Sequence, residues 1–432
     1  MMLYEYLDIN EKGHMCIEGL DAGYLAEKYG TPLYVMSEDR IRENCRRYTR
    51  TMARVFKEGS MPLFAGKSLC VKGIYPVIDS EGLGADVVSC GEIFTCLAAG
   101  FPKEKMFFHG TNKTDEDIEY GLDSGVGYFV VDNMNELTAL NEAAGRRGVR
   151  QKILLRVTVG LDPHTLEAIN TGRIDSQFGV PIETGQAEGF VLAALAAENV
   201  DVKGFHSHIG SQIFESDSFC DQADILLGFA AKMMNEHGYT AQIFNIGGGF
   251  GVRYTEDDPV VDIEKNIEEI ADHIKAGCEK TGFPEPVIFM EPGRSIVADA
   301  GVTLYEAGGI KTVEGYREYV TIDGGMTDNP RYALYQSDYT VVNASRADQP
   351  ADFECTVAGR CCESGDRIAE DIRIARPERG DIIAVLGTGA YNYAMAMNYN
   401  RVTRPAMIFI AGGKDRLVVR RQTFDDLIAC EL

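Results

Sequence analysis

Three short motifs rich in glycine and histidine follow apolar runs that are typical of β-strands. They are HSHIGSQ at residues 206–212, NIGGGFG at 245–251 and MEPGR at 290–294. Consecutive glycines let a backbone approach a phosphate closely and offer it several N–H groups. A flat imidazole and a carboxylate at neighbouring strand ends suit an aromatic ring that carries a basic nitrogen. The three motifs therefore predict a site for a phosphorylated aromatic cofactor.

Eight β-rich runs alternate with helix-forming segments, as in parallel strands joined by helices. The predicted strands are 61–67, 84–89, 105–110, 128–132, 152–159, 202–208, 242–247 and 286–291. Helices are predicted over 183–198 and 262–280, which are rich in good helix formers. Eight parallel strands close a barrel, so we predict an α/β fold, a (β/α)8 TIM-type barrel, over residues 36–293.

The sequence changes character after Gly293. Closely spaced Val, Thr, Tyr and Ile runs with glycine-rich turns are typical of antiparallel strands. We therefore predict a second, antiparallel β-rich domain, a β-sandwich or β-barrel, over residues 294–432. Residues 1–35 hold too few apolar runs for a core of their own and are expected to join it.

Composition bounds the class of protein. The chain has 432 residues, of which 45% are hydrophobic, enough for a large core and two domains. A formal net charge of -24 would repel nucleic acids and anionic membranes, so we expect neither as a partner. No secretion signal and no run of about 18 apolar residues is found. Eleven cysteines without a Cys-x-x-Cys pair are typical of reduced thiols, so we expect a cytoplasmic protein.

Chemically capable residues recur where the predicted barrel strands end, which is where such barrels build their active sites. They are Lys67, Asp86, His109, Asp132, Arg156, His208, Gly247 to Gly249 and Glu291. Lys67 follows Phe64, Ala65 and Gly66, so we expect a desolvated amine whose lowered pKa suits a Schiff base. The alternative is a lysine that ends a strand and extends its amine into water.

Each of the other rim motifs also has an ordinary structural interpretation. The three glycines could form only a tight turn, and Ser211 could add a hydroxyl donor to a phosphate. His208 could be a core histidine or could chelate a metal with His206, but no third ligand is evident, so we predict no metal. Glu291 could pair with Arg294, or could hold a proton on a pyridine nitrogen.

The motifs together resemble those of the fold type III pyridoxal-phosphate-dependent decarboxylases, and most closely those of the diaminopimelate decarboxylases. The resemblance spans nearly the whole chain. It is carried by TPLYV (31–35), FAGK (64–67), GADVVSCGE (84–92), INTGRIDSQFGV (169–180), HIGSQ (208–212), GGGFG (247–251), EPGR (291–294), DNPRY (328–332), CESGD (362–366) and GAYNYAM (389–395).

The resemblance implies pyridoxal 5'-phosphate as cofactor, with Lys67 as the Schiff-base lysine and His208 stacked on the ring. The implied cofactor-binding residues are Lys67, Asp86, His208, Ser211, Gly247, Gly248, Gly249, Glu291, Gly293, Arg294 and Tyr391. Alanine racemases of the same fold have an arginine where this chain has Glu291. A carboxylate there keeps the ring nitrogen protonated and favours carbanion chemistry.

The resemblance also implies a substrate with an amino-acid group at each end. The implied substrate-binding residues are Arg294, Arg331, Tyr335, Glu363 and Tyr391. Two guanidinium groups suit a distal carboxylate and Glu363 suits the ammonium beside it, whereas Arg331 would be misplaced beside ornithine or lysine. The expected reaction is decarboxylation of meso-2,6-diaminopimelate to L-lysine and carbon dioxide, the last step of lysine biosynthesis.

Family members are commonly obligate dimers in which the CESGD loop of one chain completes the site of the other. We therefore expect a homodimer with shared sites, in which Cys362, assisted by Lys67, returns a proton to the substrate. Two alternatives stay open. One is a decarboxylase of another amino acid or of a carboxylated polyamine, such as ornithine, arginine, lysine or carboxynorspermidine. The other is a non-catalytic relative that binds partners, although Lys67 and the glycines are retained.

Overall fold

The computed structural model describes residues 2–161 and 174–432, so residues 169–173 of the INTGRIDSQFGV motif lie outside the described residues. The strands are β1 (Leu7–Ile9), β2 (Met15–Ile17), β3 (Leu20–Asp21), β4 (Leu33–Ser37), β5 (Met61–Ala65), β6 (Gly84–Val87), β7 (Met106–Phe108), β8 (Tyr128–Val131), β9 (Gln151–Thr158), β10 (Val180–Pro181), β11 (Val200–His206), β12 (Ile243–Asn245), β13 (Val287–Met290), β14 (Gly301–Val313), β15 (Arg317–Ile322), β16 (Val341–Asn343), β17 (Phe353–Ala358), β18 (Arg367–Ile374), β19 (Ile382–Leu386), β20 (Ala406–Ala411) and β21 (Lys414–Val419). The helices are α1 (Ala22–Tyr29), α2 (Glu38–Val55), α3 (Tyr75–Ser80), α4 (Cys90–Ala98), α5 (Asp115–Ser124), α6 (Met134–Arg147), α7 (Gln186–Ala196), α8 (Asp217–His237), α9 (Ile263–Thr281), α10 (Arg294–Val297), α11 (Arg331–Tyr335) and α12 (Phe424–Ile428). Among the described helices, none has both the length and the apolar character needed to cross a membrane.

The chain divides into two compact units. The barrel unit consists of Asn44–Gly251 and Val260–Ser295, and the β unit consists of Met1–Glu43, Val252–Pro259 and Ile296–Leu432. This division differs from the predicted boundaries most clearly at residues 252–259, which belong to the β unit. The Tyr254 carbonyl accepts a hydrogen bond from the Thr340 hydroxyl at 2.9 Å, although the two residues are 86 positions apart. A contact of such long sequence separation leaves no periodic signal in the sequence.

Eight parallel strands of the barrel unit form a closed barrel, which confirms the predicted fold class. The order is β5, β6, β7, β8, β9, β11, β12 and β13, and β13 pairs with β5. The short β10 lies beside the end of β9. Apolar side chains fill one core cluster of this unit: Leu63, Phe107, Val130, Leu154, Ile243 and Phe289. Burial of these side chains stabilises the strands that carry the rim residues.

The two helices that the sequence analysis singled out are present, with ends set by local chemistry. α9 begins after Asp262, whose carboxylate accepts the Lys265 N–H at 3.1 Å, and Gly282 follows its last residue with a φ of 71°. Such a carboxylate satisfies a free amide of the first turn, and glycine tolerates the left-handed conformation at the end. α7 occupies Gln186–Ala196, within the predicted helix 183–198.

The β unit contains a large mixed sheet, and a separate small sheet of β1, β2 and β3. The main path of the large sheet runs β18, β17, β15, β14, β4, β20 and β21, and β19 pairs with both β14 and β16. Most of these pairs are antiparallel, as predicted. Two pairs are parallel, β4 with β20 and β15 with β17. The N-terminal segment joins this unit through β4, which pairs with β14 and β20.

Candidate active site

Polar side chains of several strands gather at the rim where the barrel strands end. Asp86 lies within β6 and Arg156 within β9, whereas the remaining members follow strand ends. Those members are Lys67 after β5, His109 after β7, Asp132 after β8, His208 after β11 and Glu291 after β13. The observed strands stop before these residues, so each residue lies in the turn that leaves the barrel. Active sites of this fold occupy that rim.

Glu291 is a buried carboxylate that lies close to one side-chain amide and two imidazole rings. Its Oε1 accepts a hydrogen bond from Asn245 Nδ2 at 2.6 Å and lies 2.9 Å from His109 Nε2. Its Oε2 lies 3.2 Å from His206 Nε2. Burial alone would raise the pKa of Glu291, but His109 and His206 outweigh burial and hold it well below its usual range. The carboxylate therefore stays ionised.

His109 lies between two acidic groups. Its Nε2 is 2.9 Å from Glu291 Oε1 and 3.8 Å from Asp86 Oδ1. Burial opposes a charge on the imidazole, yet the two carboxylates outweigh burial and raise the pKa of His109. Burial raises the pKa of Asp86, whose charge His109 and Lys67 favour. Arg156 adds a second buried cation, with its guanidinium 4.4 Å from the centre of the Phe178 ring.

The two histidines that could have shared a metal have different surroundings. His206 is buried and contacts Glu291, whereas the half-buried His208 lies against Gly247. Potential ligand atoms of His109, His206 and Glu291 do lie within 4.8 Å of one another. Each of these imidazoles lies close to a separate Glu291 oxygen, and the absence of a metal stays a prediction.

Lys67 lies in a short 3-10 turn, Gly66–Ser68, directly after β5. Its side chain is exposed, so the expected desolvation of this amine was wrong. The sequence placed Lys67 at the end of an apolar strand, whereas the strand ends two residues earlier and Lys67 lies in the turn that follows. Its charge still acts on the rim, because it lowers the pKa of His208 in addition to the larger effect of burial.

Glu92 is an acidic neighbour that the sequence analysis quoted within a motif but did not select. One carboxylate oxygen accepts the Val88 N–H at 2.6 Å. The pKa of Glu92 is raised to about 7, mainly by burial and also by the Asp86 charge, while the Val88 N–H, Lys67 and His109 oppose the rise. A raised pKa of this size distinguishes Glu92 from an ordinary exposed glutamate. Its position after the helix-capping Ser89 explains why it looked like an ordinary first-turn acid.

The glycine motif after β12 is closely packed and also offers free amides. A Cβ on Gly248 would lie 2.0 Å from the Glu291 carbonyl, and one on Gly249 would lie 2.4 Å from the Gly210 carbonyl. The close packing therefore agrees with the interpretation of these glycines as a tight turn. Among the described residues, however, the N–H groups of Gly248 and Gly249 have no acceptor. Adjacent free amides of this kind are typical of phosphate sites.

Two other predicted cofactor residues lie in the same unit. Arg294 donates from Nε and Nη2 to the Ser211 hydroxyl, at 3.1 and 3.0 Å. Gly293 is constrained by its neighbours, because a Cβ there would lie 2.9 Å from Ala65 Cβ and 3.1 Å from Ser68 Oγ. Gly293 thus packs directly against the turn that carries Lys67.

Arg331, in the β unit, is a buried cation surrounded by hydroxyls and aromatic rings. Its guanidinium donates to Tyr339 Oη at 3.0 Å and to Ser337 Oγ at 3.2 Å. It lies 5.0 Å from the centre of the Tyr254 ring. No carboxylate of the described part of the chain pairs with it. A buried guanidinium without an anion is costly, so this position suits an anionic ligand.

The CESGD loop is exposed but well fixed. Cys362 and Glu363 are both exposed, and the Cys362 N–H donates to Asn400 Oδ1 at 2.9 Å. Buried Asp366 accepts the Cys361 N–H and the Met326 N–H, each at 2.6 Å. The loop is therefore tied to the segment that leads into Arg331.

The two predicted tyrosines are also in the β unit. Tyr335 is half-buried and ends α11, the helix that Arg331 begins. Tyr391 is half-buried and has a φ of 65°, which is uncommon outside glycine and asparagine. The roles of both tyrosines stay predictions.

The sequence analysis missed Asn245, which both holds Glu291 and accepts the Gly247 N–H at 3.0 Å. It stands at the start of the NIGGGFG motif, as a fully buried amide at the end of an apolar strand. A buried amide must find partners, so that placement was a usable signal. The link to Glu291 was not, because it depends on the pairing of β12 with β13.

Comparison with known proteins gives a consistent result. The profile of a family described as pyridoxal-dependent decarboxylase, pyridoxal binding domain, matches residues 38–298. A diaminopimelate decarboxylase of Bacillus subtilis (strain 168) is 41% identical over 423 residues, which are 98% of this chain and 96% of that protein. One from Bacillus methanolicus is 42% identical over 414 residues, 96% of each chain.

A solved structure extends the similarity to three dimensions. The crystal structure of a diaminopimelate decarboxylase from M. jannaschii in complex with L-lysine superposes with a TM-score of 0.91 at 33% identity. The match covers 100% of this chain and 99% of that chain. Since the likeness extends through both units and not the barrel alone, the chain belongs to the diaminopimelate decarboxylases within the pyridoxal-dependent decarboxylase family.

Proposed function

We propose that the enzyme decarboxylates meso-2,6-diaminopimelate to L-lysine and carbon dioxide, with pyridoxal 5'-phosphate as cofactor, in the last step of lysine biosynthesis. The observation that carries the reaction type is the ionised Glu291, held by His109, His206 and Asn245. An ionised carboxylate keeps a pyridine nitrogen protonated, and a protonated ring accepts the electrons that decarboxylation leaves behind.

The rim residues fit the three polar parts of this cofactor. The free amides of Gly248 and Gly249 suit its phosphate, and the Ser211 and Arg294 pair adds further donors. Glu291 suits the ring nitrogen. The exposed amine of Lys67 suits the aldehyde carbon, because an exposed amine can reach a ligand without moving the strand. His208, which lies beside Gly247, would cover the ring face.

The chemistry divides between the cofactor and the chain. When bound, the cofactor would hold the substrate amine covalently and withdraw the electron pair that stays on the α carbon when carbon dioxide leaves. Glu291 keeps the proton on the ring nitrogen, and His109 and Asn245 hold that carboxylate in place. Lys67 would hold the cofactor covalently until the substrate amine takes over that attachment. Asp86 completes the proposed cofactor contacts of the barrel unit.

The β unit supplies the proposed substrate contacts. Arg331 would bind the distal carboxylate, since a buried guanidinium without an anion needs such a ligand. Arg294, Tyr335 and Tyr391 would assist in substrate binding. Glu363 would bind the ammonium next to that carboxylate. Ornithine has a bare ammonium at its far end and would leave Arg331 unpaired.

The last step returns a proton to the α carbon. We assign this proton to the Cys362 thiol, with Lys67 assisting. Cys362 is exposed on its own chain, and Asp366 fixes its loop. An exposed, rigid loop can serve a second chain, so the proposal includes a homodimer with shared sites. The enzyme would work in the cytoplasm, where its eleven cysteines stay reduced.

Release of carbon dioxide from four amino acids tests this function. The purified enzyme with added pyridoxal 5'-phosphate is assayed with meso-diaminopimelate, ornithine, arginine and lysine. We expect kcat/KM for meso-diaminopimelate to exceed the values for the other three by at least about 100-fold. A site built for a distal carboxylate rejects amino acids that have no carboxylate at that end. A clear preference for ornithine would overturn the substrate assignment. Absence of release from all four, with no cofactor absorbance, would indicate a silent relative.

A further inference from the structure

The two histidines that contact Glu291 are not equivalent. His109 Nε2 lies near two carboxylates, at 2.9 Å from Glu291 and 3.8 Å from Asp86. His206 Nε2 contacts only Glu291, at 3.2 Å, and its buried Nδ1 has no hydrogen-bond partner among the described residues. An Nδ1 without a partner agrees with a neutral ring that donates from Nε2.

We propose that His109 is a positioning residue that carries a fixed positive charge between Asp86 and Glu291 and so holds Glu291 ionised, whereas His206 is a neutral donor to the same carboxylate. This inference rests on the proposed function for its consequence, since an ionised Glu291 matters because it would face a pyridine nitrogen. The charge state itself depends only on the chain.

The balance of charge at the rim supports this division. His109 interacts electrostatically with six charged or titratable groups: Asp86, Glu92, Asp132, Arg156, His206 and Glu291. Two buried carboxylates, Asp86 and Glu291, lie within ion-pair distance of His109 Nε2, although among the described residues neither this nitrogen nor Asp86 Oδ1 makes a hydrogen bond. Without its charge, the cations that act on them would be Arg156, which also pairs with Asp132 at 3.8 Å, and Lys67, which is exposed.

Protonation tendencies of the two rings agree with the geometry. Asp86 and Glu291 raise the pKa of His109 against the opposing effect of burial. The pKa of His206 is lowered to about 4, mainly by burial and also by the charge on His109, despite the opposing effect of Glu291. Both tendencies favour a positive charge on His109, the ring that lies near both carboxylates, over a charge on His206.

Nuclear magnetic resonance of the wild-type protein tests the charge directly. The chain has seven histidines, few enough to resolve after labelling each ring carbon Cε1 with carbon-13. We expect the His109 signal at the imidazolium position at about pH 7.5 and the His206 signal at the neutral position. A neutral His109, or an imidazolium at His206, would overturn the proposal. The signal that disappears in H109Q is assigned to His109. Single variants of the other six histidines identify their signals in the same way.

Binding of pyridoxal 5'-phosphate tests the consequence. H109Q keeps a donor to Glu291 but removes the charge, so the pKa of Glu291 rises and the carboxylate begins to protonate as pH falls. We expect the affinity of H109Q for pyridoxal 5'-phosphate to fall roughly tenfold more than that of the wild type between about pH 8 and pH 6. H273Q, at a half-buried histidine of α9, is the matched control.

The outcomes separate this inference from the proposed function. If H109Q loses affinity equally at every pH, His109 is only structural and the inference fails. If the wild-type protein binds no pyridoxal 5'-phosphate, the proposed function fails, while the ring charges measured by resonance still decide the role of His109. If H109Q binds and titrates like the wild type, the inference fails and the proposed function stands.

Discussion

At the residue scale, Glu291 decides the type of reaction. In E291Q the amide cannot hold a proton on a ring nitrogen, so the electron-accepting power of the cofactor falls. We expect kcat to fall at least about 100-fold with the protein still folded, because a lost charge at a reacting centre costs roughly 3 kcal/mol or more. Turnover and the cofactor absorbance check this. E279Q, at an exposed position of α9, should retain full activity. Equal activity of both variants would contradict the role.

Asp328 makes stability depend on pH. Its buried carboxylate accepts from Tyr305 Oη at 2.5 Å and from the Gly325 N–H at 3.1 Å, and burial raises its pKa to about 7. Because the pKa is higher in the folded state than in the unfolded chain, protonated Asp328 stabilises the folded state at pH values below the pKa of the unfolded chain. This stabilisation is lost as the pH rises through about 7. We expect the unfolding free energy of the wild type, relative to D328N, to fall by a few kcal/mol from about pH 4 to pH 7.5, at about 1.4 kcal/mol per pKa unit.

Urea unfolding at a series of pH values measures this difference. An unchanged difference between wild type and D328N across that range would mean that Asp328 titrates in the folded state as it does in the unfolded chain. D371N, at an exposed position of β18, is a control that should show no such trend.

Residue types and their spacing predicted which residues lie at the barrel rim, but not which side chains they contact there. Glu291 was recognisable because a carboxylate directly after an apolar strand is unusual. Its contact with Asn245 depends on which strands are neighbours, and its contact with His109 crosses the barrel. Lys67 was misjudged in one respect, since its exposure depends on where β5 ends, and strand ends are poorly encoded in local sequence.

At the element scale, the loop after β12 is limited by backbone packing. G248A places a Cβ 2.0 Å from the Glu291 carbonyl, so the loop or the segment after β13 must move. We expect a loss of about 1–3 kcal/mol of stability together with weaker cofactor binding. Thermal unfolding and cofactor titration check both. G189A, in α7 with open space around its Cβ, should be neutral or up to about 1 kcal/mol more stable. Similar losses in both variants would contradict the packing argument.

The CESGD loop depends on one buried carboxylate. D366N replaces an acceptor of the Cys361 N–H and the Met326 N–H, so the loop that carries Cys362 loosens. We expect kcat to fall about tenfold with cofactor affinity unchanged, since a misplaced proton donor slows only the chemistry. S364A, at an exposed position of the same loop, should behave like the wild type. A loss of cofactor affinity in D366N would point to a wider structural role.

Elements were predictable where a local pattern repeats and not where the pairing is distant. All eight barrel strands follow from apolar runs separated by helix-forming segments. The parallel pairs in the β unit, β4 with β20 and β15 with β17, have no local signature, because strand direction is set by the path of the chain between them. For the same reason the sequence pattern did not indicate that Tyr254, in the segment after the glycine motif, groups with the β unit.

At the scale of the whole molecule, shared sites predict complementation between two inactive variants. K67A lacks the anchoring amine and C362A lacks the proton donor. If each site takes Lys67 from one chain and Cys362 from the other, random mixing gives about one quarter of wild-type activity, since half the dimers hold one intact site of two. Activity after unfolding and refolding the mixture measures this.

A matched mixture identifies the source of any recovery. K67A mixed with E291Q should remain inactive, because Lys67 and Glu291 belong to one barrel unit and no dimer then has both in one site. Recovery in that mixture, or none in the mixture of K67A with C362A, would contradict sites shared between chains.

Strand β4 has a consequence for how the chain is made. It leaves the ribosome early, yet its two sheet partners are β14, which begins at Gly301, and β20, which begins at Ala406. The barrel strands are all synthesised in between. Both edges of the apolar β4 therefore stay unpaired while most of the protein is translated. An unpaired apolar strand edge promotes aggregation. A nascent chain released before residue 406 lacks β20, so one edge of β4 would stay unpaired after release.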